Sequence, residues 1–150
     1  MIHIFDLDGT VIDSSHRQNY DLKTGALNLE HWRENSTREK IMGDSLMPLA
    51  DYWRSLLTET NDYVMVCTAR VCTEHDLEFL NIHGLYAQKI FSRKEGDSSR
   101  DFDLKVRQLN PYLQLNQFRN QTAIMYDDNQ SVRNAVGKIG IIPVNPVEMV

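Results

Sequence analysis

The chain has 150 residues, 41% of them hydrophobic and 25% charged, with a formal net charge of −5. This is enough chain for one domain with its own core, and the composition excludes the disordered and collagen-like classes. The acidic balance excludes tight nonspecific binding to long nucleic acid, whose affinity comes from Lys and Arg displacing counterions, but leaves a nucleic acid end admissible as substrate.

Taken in chain order, Ile2 to Phe5 is a short apolar run ended by the acids Asp6 and Asp8, and reads as a buried strand. The stretch from Ser14 to Gly43 is long and polar, with Trp32 as its large apolar residue. Connections of that length in a compact domain are usually functional, and a small lid with one short helix near Leu29 to Glu34 is expected. Asp44 is placed to cap a helix reaching about Thr58, with Leu46, Leu49, Ala50, Trp53 and Leu57 on one face and Pro48 in its first turn.

Tyr63 to Cys67 is a second strand, and Thr73 with Asp76 forms a capping-box-like start for a helix that stops at Gly84. Lys89 to Ser92 is a third strand, followed by a helix from Asp101 to Asn110 that Pro111 ends. Thr122 to Tyr126 is a fourth strand, Asn129 to Lys138 a helix, and Ile139 to Val144 a fifth strand interrupted by Gly140. Strands alternating with helices predict an α/β domain, a Rossmann-like parallel sheet with helices on both faces, spanning residues 1–150.

Cys67 and Cys72 are too few for a secreted disulfide framework. No apolar run reaches the roughly 20 residues of a membrane span. Asp6 and Asp8 interrupt any signal-peptide core, so a cytoplasmic chain with no membrane attachment is expected.

Ligands of open parallel sheets bind beyond the carboxyl ends of the strands. The residues falling there are Asp6 and Asp8, then Thr68 and Arg70, then Arg93, then Asp127 and Asp128. Phosphoryl transfer needs an in-line nucleophile, positive charge for the equatorial oxygens, and an acid for the departing group. An aspartate is ionised at neutral pH, so Asp6 can attack phosphorus, and Asp8, two residues on, can protonate the leaving oxygen and later deprotonate water. Converging carboxylates call for a hard cation, and Mg2+ suits the oxygen donors of Asp6, Asp8, Asp127 and Asp128. Thr68 can donate to the phosphoryl group and Lys105 can offset its charge. A basic cluster of Arg93, Lys94 and Arg100 is compatible with holding phosphates or with a solvated loop.

These residues resemble the haloacid dehalogenase-like superfamily, whose signature runs Asp-x-Asp-Gly-Thr, then Thr or Ser, then Lys, then paired acids. The resemblance spans residues 2 to 128. It implies a nucleophile at Asp6, a general acid/base at Asp8, phosphate-binding groups at Thr68 and Lys105, and a metal ligand at Asp127 with Asp128 beside it. Dehalogenases lack the second acid, so Asp8 favours a phosphatase. Within the superfamily the chain is similar to the phosphatase half of phage polynucleotide kinase/3'-phosphatases. Three stretches carry this: Arg17 to Leu22 with Tyr20-Asp21-Leu22, Thr68-Ala69-Arg70, and Arg93-x-x-Gly96-Asp97-Ser98 leading through Asp101 to Lys105. That similarity implies substrate-shaping roles for Arg17, Arg70, Arg93 and Asp101, and a 3'-phosphorylated nucleic acid end or nucleotide as substrate.

The segment from Lys23 to Gly43 is longer than the corresponding link, Asn129 replaces an expected arginine, and no Gly-x-x-x-x-Gly-Lys-Ser/Thr stretch marks a kinase half. A small-molecule phosphatase, acting on mononucleotides or sugar phosphates, is the alternative. A phosphorelay receiver would carry its acidic pair first and its phosphorylated Asp in the middle, the reverse of the order here. An inactive interaction protein would not need Asp6, Asp8, Lys105 and Asp127 together.

Overall fold

The computed structural model describes residues 1–20, 22–24 and 26–149. Asp21 of the Tyr20-Asp21-Leu22 stretch lies outside the described residues. The elements in chain order are β1 (Ile2–Phe5), β2 (Ile12–Asp13), α1 (Leu29–Glu34), α2 (Arg38–Met42), β3 (Ser45–Leu46), α3 (Leu49–Glu59), β4 (Tyr63–Cys67), α4 (Glu74–Ile82), β5 (Lys89–Phe91), α5 (Asp101–Leu113), β6 (Ala123–Tyr126), α6 (Gln130–Gly137) and β7 (Ile142–Val144). Short 3₁₀ turns occupy Ser15–Arg17 and Pro146–Met149.

Five parallel strands form the main sheet in the order β5-β4-β1-β6-β7, with β1 in the centre. A central parallel strand is covered on both faces, which is why β1 is apolar almost throughout and buried at every position. Alternate residues divide two cores. Phe5, Val64 and Val66 pack with Trp53 of α3 and Phe79 and Leu80 of α4, whereas Ile4, Met65 and Met125 pack with Leu109 of α5 and Val132 and Val136 of α6. Full burial of each such side chain contributes about 1.5–3 kcal/mol. Trp53 stacks on Phe5 at 4.9 Å and its indole N–H donates to the carbonyl of Tyr86 at 2.9 Å. Among the described residues no helix is long and apolar enough to cross a membrane.

Several boundaries differ from the sequence expectation. Asp44 caps no helix: its carboxylate accepts from Nε and Nη2 of Arg17, each at 2.9 Å. Ser45 and Leu46 instead pair antiparallel with Asp13 and Ile12, and α3 starts at Leu49 after Pro48. Pro111 does not end α5, which runs to Leu113; proline removes only its own N–H, and it stands in the last turn. The fifth strand is shorter than expected, because Ile139 and Gly140 close α6 through bonds to the carbonyls of Val136 and Gly137. The Thr73–Asp76 capping box is present at α4, and Asn129 caps α6 by accepting from the N–H groups of Ser131 and Val132.

Residues 14–43 contain α1, as expected, and also α2. Ile41 of α2 is fully buried in the core that contains Trp53, and Arg38 forms an ion pair with Glu78 of α4. The segment is thus fastened to the main body and stands over the carboxyl ends of the strands, where it lines the cleft described next.

Candidate active site

The sheet order places a switch point beside β1, where chain connections leave in opposite directions and a crevice opens at the carboxyl ends. Phe5 and Tyr126 are register partners, so Asp6 and Asp127 emerge side by side. Lys105, one turn into α5, reaches between them: its Nζ lies 3.0 Å from Asp6 Oδ1 and 2.7 Å from Asp127 Oδ2. Thr10 Oγ1 donates to Asp6 Oδ2 at 2.9 Å and accepts from the backbone N–H of Asp128 at 3.1 Å. Gly9 has φ +80, the left-handed region that favours glycine, and a Cβ there would displace the Asp128 carboxylate.

Carboxylate oxygens of Asp6, Asp127 and Asp128 lie within 4.8 Å of one another. Burial, then the charge of Asp6, push Asp127 up to about 7 and Asp128 up to about 6. Burial alone would lower Lys105, but the carboxylates of Asp6 and Asp127 outweigh it and hold the ammonium above its ordinary value. One ammonium cannot neutralise three carboxylates. An all-oxygen donor set with this charge deficit fits a hard divalent cation, and Asp6, Asp127 and Asp128 are the residues able to hold it.

The Asp8 side chain stands outside that cluster. Its carboxylate accepts from Ser14 Oγ at 2.6 Å, from Arg70 Nε at 3.1 Å, and from Arg70 Nη2 at a shorter distance. Burial would raise this carboxyl, but the Arg70 guanidinium draws it below the ordinary aspartate range. Thr68, fully buried at the end of β4, accepts from the N–H of Arg70 through its hydroxyl.

The arginines expected at the substrate are all engaged by the protein itself. Arg17 is 1% exposed, bidentate to Asp44 and with its guanidinium 4.1 Å from the centre of the Trp32 ring. Arg70 joins Asp8 to Asp76. Arg93 donates to the carbonyls of Ala69, Asp97 and Ser99 and to Asp101 Oδ1 at 3.0 Å, so it shapes the loop into α5. Arg70, Arg93 and Asp101 line the cleft even so. Lys94 and Arg100 are exposed, and Arg100 stands immediately before α5 as its N-cap residue.

The cleft encloses about 850 Å³. Its floor is Asp6, Thr68, Lys105 and Asp127, and its outer wall includes Tyr20, Leu27, Leu29 and Trp32 from residues 14–43. Sequence reasoning passed over Thr10, Ser14, Asp44 and Asp76 as site residues. Thr10 could have been found, since it closes the Asp-x-Asp-Gly-Thr stretch. Asp44 and Asp76 looked like helix caps, and only tertiary pairing shows their arginine partners.

A family profile for the bacteriophage T5 5'-deoxynucleotidase matches residues 1–149. The 5'-deoxynucleotidase of Escherichia phage T5 is 30% identical over 159 residues, covering 93% of this chain; the chain spans 64% of that relative's length. A haloacid dehalogenase-like hydrolase from Streptococcus pneumoniae superposes with a TM-score of 0.67 at 16% identity, covering 99% of this chain and 95% of the other. A chain of the Pnkp1/Rnl/Hen1 RNA repair complex gives 0.68 at 19% identity, covering 95% and 41%. The fold is that of the haloacid dehalogenase-like hydrolases, and the chain belongs to the bacteriophage T5 5'-deoxynucleotidase family.

Proposed function

We propose that this protein is a magnesium-dependent phosphomonoesterase that removes the 5'-phosphate of deoxynucleoside monophosphates through an aspartyl-phosphate on Asp6. The observation that carries the reaction is the buried set of Asp6, Lys105 and Asp127 with Asp128 at the switch point of a parallel sheet. The phage T5 relative's 5'-deoxynucleotidase activity supports the substrate. So does the outer wall, where Tyr20, Leu27, Leu29 and Trp32 offer a base an apolar surface across the cleft from the acids.

In this reading Asp6 attacks phosphorus as the bond to the nucleoside oxygen breaks, and Asp8, ionised beside Arg70 in the free site, takes the proton of the substrate's phosphate monoanion and passes it to that oxygen. Water then attacks the aspartyl-phosphate, Asp8 takes its proton, and inorganic phosphate leaves a regenerated Asp6. Lys105 holds Asp6 and Asp127 in place, and Thr68 binds a phosphoryl oxygen. Magnesium, held by Asp6, Asp127 and Asp128, would neutralise charge on the phosphoryl oxygens. Residues 14–43 act as a lid on a single domain. Arg93 and Asp101 shape the substrate wall from the side of the α5 loop.

A 3'-phosphorylated polynucleotide end is the second reading, favoured by the Arg93-to-Lys105 motif. Phosphate release with magnesium from deoxynucleoside 5'-monophosphates, 3'-phosphorylated oligonucleotides and sugar phosphates separates the two. Preference for the first supports the proposal, and preference for either of the others overturns its substrate. Asp6→Asn is expected to release no phosphate from any of them; full activity in that variant would overturn the nucleophile.

A further inference from the structure

Asp8 lies outside the acid cluster, so other groups must aim it. Ser14 makes one hydrogen bond to its carboxylate, and Arg70 makes two through adjacent nitrogens of its planar fork. The fork is itself clamped: Arg70 Nη1 donates to Asp76 Oδ1 at 2.5 Å, and Asp44 Oδ2 lies 3.6 Å from Nη2 while remaining bound to Arg17.

Asp76 has no freedom to follow a moving arginine. Its other oxygen, Oδ2, accepts from the backbone N–H of Thr73 at 2.8 Å as the return half of the α4 capping box. The residue is 3% exposed, and Phe79 and Leu80 in the following turn anchor α4 in the core. A capping box needs only one acceptor at this position. The second oxygen is buried and directed at a guanidinium, which helix formation does not explain.

We propose that Asp76 is a positioning residue for phosphoryl transfer: acting through Arg70, it fixes the direction of the Asp8 carboxyl relative to the leaving oxygen. The rigid path runs from the α4 N-terminus through Asp76 and Arg70 to Asp8. Arg70 is thereby a second positioning residue rather than a phosphate ligand. The inference rests on the reading of Asp8 as the acid, and the experiment separates the two.

The measurement is kcat/KM, which reports the steps up to departure of the leaving group, for two substrates. One is a deoxynucleoside 5'-monophosphate, whose alkoxide must be protonated; the other is 2,4-dinitrophenyl phosphate, whose leaving group departs unprotonated. Asp8→Asn, Asp76→Asn and Arg70→Lys are each expected to lower the nucleotide value by about tenfold or more and to leave the aryl value little changed. Thr73→Ala removes the hydroxyl that accepts from the His75 N–H and donates to Asp76 Oδ2 at 3.3 Å, but keeps the backbone N–H bond to Oδ2 and the Oδ1 contact with Arg70, and is expected to lower Tm with the ratio of the two values unchanged.

If Asp8→Asn is selective but Asp76→Asn lowers both substrates equally, or neither, the positioning role is wrong and the acid stands. If Arg70→Lys lowers both equally and raises KM, Arg70 is a phosphate ligand and the proposal falls. If Asp8→Asn is itself unselective, Asp8 is not the acid and the proposal falls with it. Should Asp76→Asn not fold, Asp76→Glu, which keeps the charge but displaces the carboxylate by one methylene, takes its place, and an unchanged ratio of the two values in that variant overturns the proposal.

Discussion

The strand-end cluster and the segment over it, residues 14–43, are built by different means. Asp6, Thr68 and Asp127 follow β1, β4 and β6, whose register and burial on both faces fix where they emerge. Among the described residues of 14–43, only Ser14, Arg17 and Ile41 are buried, and ion pairs such as Arg17–Asp44 and Arg38–Glu78 do the fastening. The comparison teaches that the chemistry is carried by elements that cannot shift without unfolding the sheet. In the proposed function, contact with the rest of the substrate falls to a segment held by Ile41 and a few ion pairs. Substitutions in the first region should therefore damage every substrate and the fold together, and substitutions in the second should discriminate among substrates.

The largest effect is expected from Lys105→Met. The side chain is of similar length but uncharged, so Asp6 and Asp127 lose the one ammonium between them. Removing one partner of a buried ion pair costs about 3–5 kcal/mol, and losing a charge aimed at the phosphoryl group costs roughly 10²–10³ in turnover. Denaturant unfolding and phosphate release from both a nucleotide and an aryl phosphate should fall together. A variant that lost only nucleotide activity would break the distinction between the two regions.

How much of this was legible beforehand follows the same division. The strands β1 and β4 begin and end where apolar runs begin and end, since a run between polar residues leaves a buried strand little choice. With the strands located, Asp6, Thr68 and Asp127 follow as the next residues, and Lys105 stands near the start of the helix expected from Asp101, in the motif order Asp, Thr, Lys, Asp-Asp. Residues 14–43 resisted because two-residue strands have no period, and because the pairs that hold them join distant positions. Arg17 and Asp44 are 27 residues apart, and Asp44, standing just before a helical pattern, looks locally like a cap. The roles of the arginines were hidden for that reason: a sequence shows an arginine near a strand end, but not the carbonyls and carboxylates that surround it.

A second, smaller effect concerns the cation and probes the cluster without mutation. Asp127 and Asp128 titrate at about 7 and about 6 in the folded chain, against an ordinary 3.8. The folded state therefore binds more protons than the unfolded state between those values. The metal-free protein is most stable at the acidic end of that window and loses the contribution as pH rises toward 7. A divalent cation that needs both carboxylates ionised should act in the opposite sense. Magnesium at about a hundredfold excess over its Kd would stabilise by about 2.7 kcal/mol, several degrees in Tm for a chain of this size. The rise should be large at pH 8 and small at pH 5.5, and an equal rise at both would place the ion elsewhere.

The smallest expected effect is also the sharpest test of the comparison. Trp32 is half-buried, with the Arg17 guanidinium 4.1 Å from its ring centre and that of Arg70 at 5.5 Å, and it lines the cleft. Stacking of a base on an aromatic ring contributes about 1–3 kcal/mol, so Trp32→Ala should lower kcat/KM for a deoxynucleoside 5'-monophosphate by roughly tenfold to a hundredfold. 2-Deoxyribose 5-phosphate, which has the same alkyl leaving oxygen but no base, should lose far less, because Asp6, Asp8 and Lys105 remain in place. Stability should change little: a ring on an outer segment leaves no sealed cavity when it is removed, and Arg17 keeps Asp44. Equal losses on both substrates would mean that Trp32 acts through Arg70 on Asp8 instead of on the base. The two regions would then be one mechanical unit rather than a fixed floor beneath a selective wall.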